Sequence, residues 1–378
     1  METQTDALHE KTLHDVGLSP VYEKIRAGRR LDLEDGERLF ACPNPVLVGQ
    51  LAHLQRTRLH GLNTTYVLNQ QINYTNICVN HCRFCSYHRQ KGQDRAFEYS
   101  LQEIEAKVQA QIREPLTEFH VVGGCHPDLP LSYYEDLLAT LKRLRPGAIR
   151  KCFTPVEIEH FSRLENISTG RVLDRLKACG LEMMPGGGAE IFDPRTRETI
   201  CPQKISGRRW LEIAAEAHER GIKTNCTMLF GHLETRRHRL EHLDQLRQLQ
   251  DRTKGFVCFI PLPFQTRNNT LQGITPLSGL EELKTIAVSR LMLDNIQHVK
   301  SYWVMLGLKQ AQAALYFGAD DLDGTVVEEK IGHMAGADSP QVLTRKELEA
   351  MIIGCGLRPV QRNAFFEPVG SDRPITGQ

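Results

Sequence analysis

The stretch HERGIKTNCTMLF, residues 218–230, contains the structural unit that decides the fold. A helix-like segment ends at Gly221, because glycine readily takes the left-handed conformation that stops a helix. An apolar, β-rich run follows at once, from Ile222 to Phe230. RLKACGLEMMP, residues 175–185, repeats this order around Gly180. Both stretches predict helices that lead directly into buried strands.

Similar units recur from residue 71 onward, each with a polar or glycine-rich loop after the predicted strand. Eight strand–helix units in series predict a parallel sheet, and eight strands close naturally into a barrel. We therefore expect an α/β fold, a (β/α)8 TIM-type barrel with an N-terminal helical extension. The predicted strands are residues 71–77, 118–124, 149–156, 181–185, 222–230, 256–262, 298–305 and 314–318.

The regions outside the barrel are predicted to be short. Residues 10–60 contain two or three predicted helices, with a break at Asn44-Pro45. The expected domains are an N-terminal helical extension over residues 1–68, the barrel over residues 69–335, and a C-terminal extension over residues 336–378 that packs on the barrel.

Composition excludes several classes of protein. Lys and Arg number 47 and Asp and Glu 46, and no dense basic run offers a surface for nucleic acid. The apolar runs are far shorter than the roughly 18 residues of a membrane span, and the N-terminus lacks an apolar secretory segment. Eight of the eleven cysteines are scattered without disulfide-framework spacing. We expect a cytoplasmic protein without a nucleic-acid partner or membrane span.

The remaining three cysteines lie together in CVNHCRFC, residues 78–85, after the first predicted strand. Cys78, Cys82 and Cys85 have the spacing C-x3-C-x2-C, which suits a soft metal or an iron–sulfur cluster. A structural zinc site would need a fourth ligand, for which His81 or His88 is available. An iron–sulfur electron carrier would need a fourth cysteine, and none follows nearby. A cluster held by three thiolates would leave one iron open to an amine and a carboxylate.

The triplet, with aromatic Phe84 before its last cysteine, resembles the radical S-adenosylmethionine (SAM) superfamily. The resemblance implies a [4Fe–4S] cluster whose open iron binds SAM, and a one-electron donor such as flavodoxin or ferredoxin. An electron from the cluster then cleaves SAM to a 5′-deoxyadenosyl radical. In this superfamily the aromatic residue lies beside the adenine; simple packing is the alternative role for Phe84.

The loops after the next three predicted strands contain further candidate residues for SAM binding. The resemblance implies that the backbone of Gly123 and Gly124, in VVGGCHP, accepts hydrogen bonds from the SAM ammonium. Glu157 and Glu190 follow the third and fourth predicted strands, and a carboxylate at the mouth of a barrel can bind the ribose hydroxyls or the ammonium of SAM. A tight turn is the alternative role for the glycines, and capping of a helix N-terminus is the alternative for the two carboxylates.

His232 and Glu234 follow the fifth predicted strand and form a candidate proton-transfer pair. A buried, mutually satisfied pair at the barrel rim is the alternative. Arg267 follows the sixth predicted strand and could clamp a carboxylate bidentately, or be a solvated loop residue. These three are the candidate catalytic residues. His232, Arg267 or Lys300 could also donate hydrogen bonds to a carboxylate of a substrate.

Several longer stretches resemble the aminodeoxyfutalosine synthases of the futalosine route to menaquinone. The stretches are INYTNICVNHCRFC, VVGGCHP, PGGGAEIF, TMLFGHLET, FIPL, LDNIQHVKSYWVMLG and GADDLDGTVVEEKI. This resemblance implies a radical SAM transferase that adds the 5′-deoxyadenosyl radical to 3-[(1-carboxyvinyl)oxy]benzoate, giving 6-amino-6-deoxyfutalosine. SAM is then a consumed co-substrate. The alternatives are the dehypoxanthine futalosine cyclase branch and, in a different class, a non-catalytic iron–sulfur electron carrier.

Overall fold

The computed structural model describes residues 11–111 and 115–370 of the chain. Each strand in these two ranges runs parallel to the strands with which it pairs. The strands are β1 (Asn63–Val67), β2 (Asn69–Ile72), β3 (Glu118–Val121), β4 (Ile149–Cys152), β5 (Met183–Met184), β6 (Lys223–Phe230), β7 (Phe256–Pro263), β8 (His298–Val299), β9 (Asp321–Gly324) and β10 (Arg358–Arg362).

Strands β2 to β8 form one seven-stranded sheet in sequence order. The position of the eighth strand of the barrel, between β8 and β2, is taken by β9 and the residues after it. Lys300 pairs with Asp321, which joins the end of β8 to β9, and Gln70 pairs with Val327, which joins this segment to β2. The main-chain N–H of Ser301 also donates to the carbonyl of Asp321 at 2.7 Å. The two edges of the sheet are thus connected, and the predicted (β/α)8 TIM-type barrel is confirmed.

Helices connect the strands, and their ends follow the predicted signals. Ser100 and Glu103 form the expected capping box, and Gly180 ends its helix with φ of 113°. In the part of the chain that the structure describes, no helix combines the length and apolar character needed to cross a bilayer. The helices are α1 (Ser19–Arg26), α2 (Leu33–Ala41), α3 (Pro45–His60), α4 (Leu101–Ala110), α5 (Leu131–Leu144), α6 (Pro155–Glu165), α7 (Thr169–Cys179), α8 (Pro194–Ile200), α9 (Gly207–Glu219), α10 (Arg236–Thr253), α11 (Gly279–Met292), α12 (Trp303–Leu306), α13 (Leu308–Ala314), α14 (Ile331–Ala335) and α15 (Arg345–Gly354).

The prediction of a last strand at residues 314–318 was wrong. Ala314 ends helix α13, and a turn follows it. A short apolar run does not distinguish a strand from the buried end of a helix, and here Ala314 and Leu315 are buried in the core. The strand at this position is instead β9, whose sequence DLDG has little strand propensity but pairs with β1.

The N-terminal extension contains the expected helices, α1 to α3, but also one strand that was not predicted. Strand β1 lies between β10 and β9 in a second, three-stranded sheet. Its sequence, NTTYV, is rich in β-branched and aromatic residues, which favour a strand. This sheet joins segments from the two expected extensions to β9. The predicted domain boundaries at residues 68 and 335 stay predictions, and the outermost parts of both extensions lie outside the described residues.

Buried charges link the C-terminal extension to the barrel. Arg362, on β10, donates to both carboxylate oxygens of Asp321, at 2.6 and 2.9 Å. Its guanidinium also lies 3.7 Å from the carboxylate of Glu118, which pairs in turn with Lys151. All four side chains are nearly inaccessible to solvent. The network therefore lies inside the molecule, at the amino-terminal ends of β3 and β9.

His242 gives the fold a measurable dependence on pH. Its ring stacks on Phe192 at a centroid distance of 3.9 Å, and burial lowers the pKa of His242 to about 3. The unfolded chain therefore binds a proton below about pH 6.5 that the folded chain does not. We expect His242 to remove about 1.4 kcal/mol of stability per pH unit as the pH falls from 6.5 towards 3.

Urea unfolding at several pH values would measure this effect. In His242→Asn the unfolding free energy should fall less steeply as the pH is lowered. The slope should decrease by the contribution of about one proton. His14→Asn, which changes an exposed imidazole, is the control with which the slope is compared. An unchanged slope in His242→Asn would show that this imidazole is protonated in the folded state.

Candidate functional site

A cavity of about 310 Å³ opens at the carboxyl ends of the barrel strands, within the size range of ligand sites. All three cysteines of the CVNHCRFC triplet line it, as do Phe84 and the loops after β3, β4 and β5. Much of the remaining wall is apolar, formed by Val122, Val156, Leu229, Ile260, Leu262 and Phe264. The cavity therefore combines a group of thiols with a surface that is poorly hydrated.

The three thiols differ in their surroundings. A hydrogen bond from Cys125 lowers the pKa of Cys78 to about 5, because it stabilises the thiolate. Burial raises the pKa of Cys82 and of Cys85. Cysteine binds a metal as the thiolate. A soft metal cation would therefore promote the ionisation of the two buried thiols, Cys82 and Cys85.

Lys204 brings a positive charge to this group of thiols. Its ammonium donates to Glu190 at 2.7 Å and lies 5.2 Å from the centre of the Phe84 ring. Burial opposes the charged form of Lys204, but its interactions with Cys82 and Glu190 outweigh burial and raise the pKa of Lys204 well above the usual value. The predicted ligand residues Phe84 and Glu190 are thus held by a lysine that the sequence analysis did not single out.

Gly123 and Gly124 allow the loop after β3 to approach the cysteine loop. A Cβ atom on Gly124 would lie 2.2 Å from the carbonyl oxygen of Ile77 and 3.0 Å from the Cβ of Cys78. A Cβ atom on Gly123 would lie 2.5 Å from the ring of Tyr74. Both positions therefore require glycine for packing. A direct contact of either residue with SAM stays a prediction.

Glu157 lines the cavity but is already surrounded by donors. Its carboxylate accepts hydrogen bonds from the Tyr74 hydroxyl, the main-chain N–H of Gly123, and both the N–H and the hydroxyl of Thr154. Burial nevertheless raises its pKa to about 7. These contacts make Glu157 part of the capping box of α6, whose N-cap is Thr154, and a support for the glycine loop. Its predicted contact with ribose or ammonium stays a prediction.

His232 and Glu234 lie together, with an Nδ1–Oε2 distance of 3.1 Å and fully buried side chains. Burial lowers the pKa of His232. Burial alone would raise the pKa of Glu234, but the neighbouring His232 and Arg239 outweigh it, and the pKa of Glu234 is lowered. The carboxylate also accepts the N–H groups of Gly231 and His232. Neither residue belongs to the lining of the cavity. The geometry matches the alternative of a satisfied pair at the rim, and their catalytic role stays a prediction.

The two other candidate donors have different positions. Arg267 lies in an exposed loop and is not among the residues that line the cavity. Lys300 does line it, but its ammonium pairs with Asp323 and lies 3.6 Å from Asp321. The structure therefore brings together the cysteines, Phe84, the glycines and the two glutamates around one cavity. It does not bring His232, Glu234 and Arg267 into that lining.

The sequence matches two family models. Residues 72–246 match the Radical SAM superfamily, and residues 253–374 match the CofH/MqnC C-terminal region. The first match contains the cysteine triplet and most of the loops that line the cavity. Together the two matches cover the barrel and most of the C-terminal extension.

Curated relatives match along nearly the whole chain. The aminodeoxyfutalosine synthase of Thermus thermophilus is 44% identical over 361 residues, which are 94% of this chain and 97% of that protein. The chain belongs to the radical SAM superfamily. The aminodeoxyfutalosine synthase of Streptomyces coelicolor is also 44% identical, over 93% of this chain and 94% of its own length. A 5-amino-6-(D-ribitylamino)uracil–L-tyrosine 4-hydroxyphenyl transferase of Methanosarcina barkeri is 37% identical, over 89% of this chain and 90% of its own length.

Solved structures share the fold of this radical SAM enzyme. Methylornithine synthase superposes with a TM-score of 0.72 at 16% identity, covering 89% of this chain and 96% of that one. The FeFe-hydrogenase maturase of Carboxydothermus hydrogenoformans superposes with a TM-score of 0.71 at 17% identity, covering 97% of this chain and 86% of that one. These similarities agree with the barrel described above.

The radical SAM enzyme uses a [4Fe–4S] cluster and SAM, as the resemblance implied. The donor set fits such a cluster, because three thiols converge on one cavity beside a buried ammonium. Cys78, Cys82 and Cys85 would hold three irons and leave the fourth for SAM. The cysteine spacing alone also allowed a zinc site or an iron–sulfur electron carrier. Membership of the radical SAM superfamily favours the SAM-binding cluster over both.

Lys204 and His120 are two of the cavity residues that the sequence analysis did not single out. Lys204 follows a short helix in ICPQK, and nothing local indicates that it reaches Cys82, more than a hundred positions away. His120 lies inside the apolar strand EFHV, where a polar residue could have been recognised as facing the barrel interior. Both belong to the lining of the cavity.

Gly124→Ala should damage the cysteine loop. The added methyl group would overlap the main chain of Ile77, which cannot move without displacing Cys78. We expect the iron content after anaerobic reconstitution to fall to less than about half of the wild-type value, with a loss of roughly 1–3 kcal/mol in unfolding free energy. Gly147→Ala, at an exposed turn where nothing lies within 4 Å of the new atom, is the matched control. Equal iron in both variants would contradict this role.

Proposed function

We propose that this radical SAM enzyme transfers the 5′-deoxyadenosyl group of SAM to 3-[(1-carboxyvinyl)oxy]benzoate, giving 6-amino-6-deoxyfutalosine for menaquinone biosynthesis. The observation that carries the proposal is 44% identity to two aminodeoxyfutalosine synthases over more than nine-tenths of this chain. Identity to two 5-amino-6-(D-ribitylamino)uracil–L-tyrosine 4-hydroxyphenyl transferases, of Methanosarcina barkeri and Archaeoglobus fulgidus, is lower, at 37% and 38%.

When bound, the cluster would supply the one electron needed to cleave SAM to methionine and the 5′-deoxyadenosyl radical. The radical forms a C–C bond with the enol carbon of the substrate, and the aryl group moves from the ether oxygen to the neighbouring carbon. The carboxyvinyl carboxylate then leaves as carbon dioxide and gives back one electron, so the overall reaction is redox-neutral. Methionine and 6-amino-6-deoxyfutalosine are the other products, so that SAM is consumed. The electron donor, flavodoxin or ferredoxin, is part of the proposal.

The residues of the chain would bind, orient and exclude water. Phe84 is proposed to face the adenine, and Glu190 to contact SAM while Lys204 holds it. Glu157 would act through Gly123, whose N–H it accepts. The apolar wall would keep water from the radical and hold the reacting carbons about 3–3.5 Å apart, a near-attack separation.

Anaerobic incubation with SAM, dithionite and the enolpyruvyl benzoate, followed by mass analysis, tests the proposal. We expect a product that contains both the adenosyl group and the benzoate, formed in step with methionine. The control omits the aromatic substrate. Free 5′-deoxyadenosine as the main product of the complete reaction would contradict the proposal, because it would indicate hydrogen abstraction.

Two further reactions distinguish the relatives. The enzyme would be offered dehypoxanthine futalosine in one reaction, and 5-amino-6-(D-ribitylamino)uracil with L-tyrosine in another. We expect neither to yield a cyclised or hydroxyphenyl-bearing product at a rate near that of the benzoate reaction. Faster turnover in either would assign the chain to that activity.

A further inference from the structure

His120 occupies an unusual position in the cavity. It lies on β3 in register with Gln71 of β2 and Lys151 of β4, so that the three side chains share the interior face of the barrel. Gln71 and His120 line the cavity, whereas the ammonium of Lys151 pairs with Glu118. The imidazole is therefore at the inner end of the cavity, within a layer of polar residues.

The other polar groups at this end already have partners. Lys300 pairs with Asp323, and the amide of Gln71 lies near enough to the hydroxyl of Tyr302 to influence its pKa. Among the described residues, the imidazole of His120 has no hydrogen-bond partner. The side chain of His120 is half-buried and faces the cavity, so a ligand bound there can supply the hydrogen-bond partner that the protein does not.

The surroundings of His120 favour a neutral ring. Burial and, after it, the ammonium of Lys151 lower the pKa of His120 to about 3, although Glu118 acts in the opposite direction. A neutral imidazole has one N–H donor and one acceptor nitrogen. Lys300, which also lowers this pKa, pairs with Asp323 in the same cavity. The N–H of the neutral His120 ring is a donor that a carboxylate of a ligand can accept.

The position of His120 along the strand separates it from the cysteines. It precedes Gly123 by three residues, which corresponds to about 10 Å along a strand. The cysteine loop contacts Gly124, at the outer end. A ligand that reacts beside the cysteines would therefore reach His120 with its opposite end.

We propose that His120 donates a hydrogen bond to the benzoate carboxylate of the substrate and is a specificity-determining residue. This assignment rests on the proposed function, which supplies an elongated acid with a carboxylate at each end. Binding of the benzoate at the inner end would direct the enol carbon towards the cysteine end. His120 is thus a binding residue, and no proton transfer is assigned to it.

The test compares two substrates in wild type and His120→Ala. The second substrate is 2-phenoxyprop-2-enoate, which has the enol carboxylate but not the benzoate carboxylate. With the full substrate, we expect KM to rise at least about tenfold in His120→Ala while kcat changes by less than about threefold. With the shortened substrate, the two enzymes should have the same KM. His120→Gln, which keeps a donor, should restore most of the affinity.

Two controls separate binding from damage to the fold. The iron content and SAM affinity of His120→Ala should match the wild type. His53→Ala changes a half-buried histidine outside the cavity, whose buried Nδ1 also has no partner, and should leave KM unchanged. An unchanged KM in His120→Ala, or an equal rise with both substrates, would overturn the assignment. A wild type that makes no product from the full substrate would overturn the proposed function and the ligand assigned to His120 with it.

Discussion

Replacement of Cys82 by serine should abolish the chemistry of this enzyme. A hydroxyl is a poor ligand for iron, and two remaining thiolates do not hold a four-iron cluster. We expect the iron content after anaerobic reconstitution to fall from about four per chain to nearly none. Reductive cleavage of SAM should fall by about a thousandfold or more, equivalent to at least roughly 4 kcal/mol of activation free energy. Iron analysis, the EPR spectrum of the reduced protein and methionine release would measure these effects.

The structure provides unusually demanding controls for this experiment. Cys125 hydrogen-bonds Cys78, and the sulfur of Cys201 lies near enough to Cys82 to influence its pKa. Proximity alone therefore does not select the ligands. Cys125→Ser and Cys201→Ser should each retain the cluster, and Cys179→Ser, at the end of α7, should be indistinguishable from wild type. A cluster that survives in Cys82→Ser and is lost in Cys201→Ser would assign the third ligand to Cys201.

The sequence predicted what is encoded locally. The cysteine triplet, the capping box at Ser100 and the helix-ending Gly180 each depend on a few adjacent residues, and all three have the expected form or position. The order of strands also follows from the repeated units, because parallel strands with helical connections have few alternative arrangements.

Contacts between distant segments were not predictable in the same way. The ammonium of Lys204 reaches the cysteine loop only after the barrel has formed. For His232 and Glu234 the local motif suggested proton transfer, but Arg239 and the main-chain N–H groups satisfy the carboxylate. A sequence motif shows which types of residue lie together. Whether one of these groups is free to react depends on its contacts with other segments, which the motif does not show.

Arg362→Met should have the largest effect on stability. The variant keeps much of the side-chain volume but removes both hydrogen bonds to Asp321 and the positive charge near Glu118. Removal of one partner from a buried ion pair typically costs about 3–5 kcal/mol, because the other charge stays buried without compensation. Here Asp321 would retain the hydroxyl of Thr65 and the more distant Lys300. We therefore expect a loss of roughly 3 kcal/mol, in the lower part of that range.

Urea unfolding at pH 7 would measure the loss, with Arg358→Met as the matched control on the same strand. Arg358 donates to Asn63 at the surface, and its removal should change the unfolding free energy by less than about 0.5 kcal/mol. The double variant Arg362→Met with Asp321→Asn should recover part of the stability, because the uncompensated charge is then gone. A loss in Arg362→Met no larger than in Arg358→Met would show that the C-terminal strand is held by its main-chain pairing with β1, and that the buried charges contribute little.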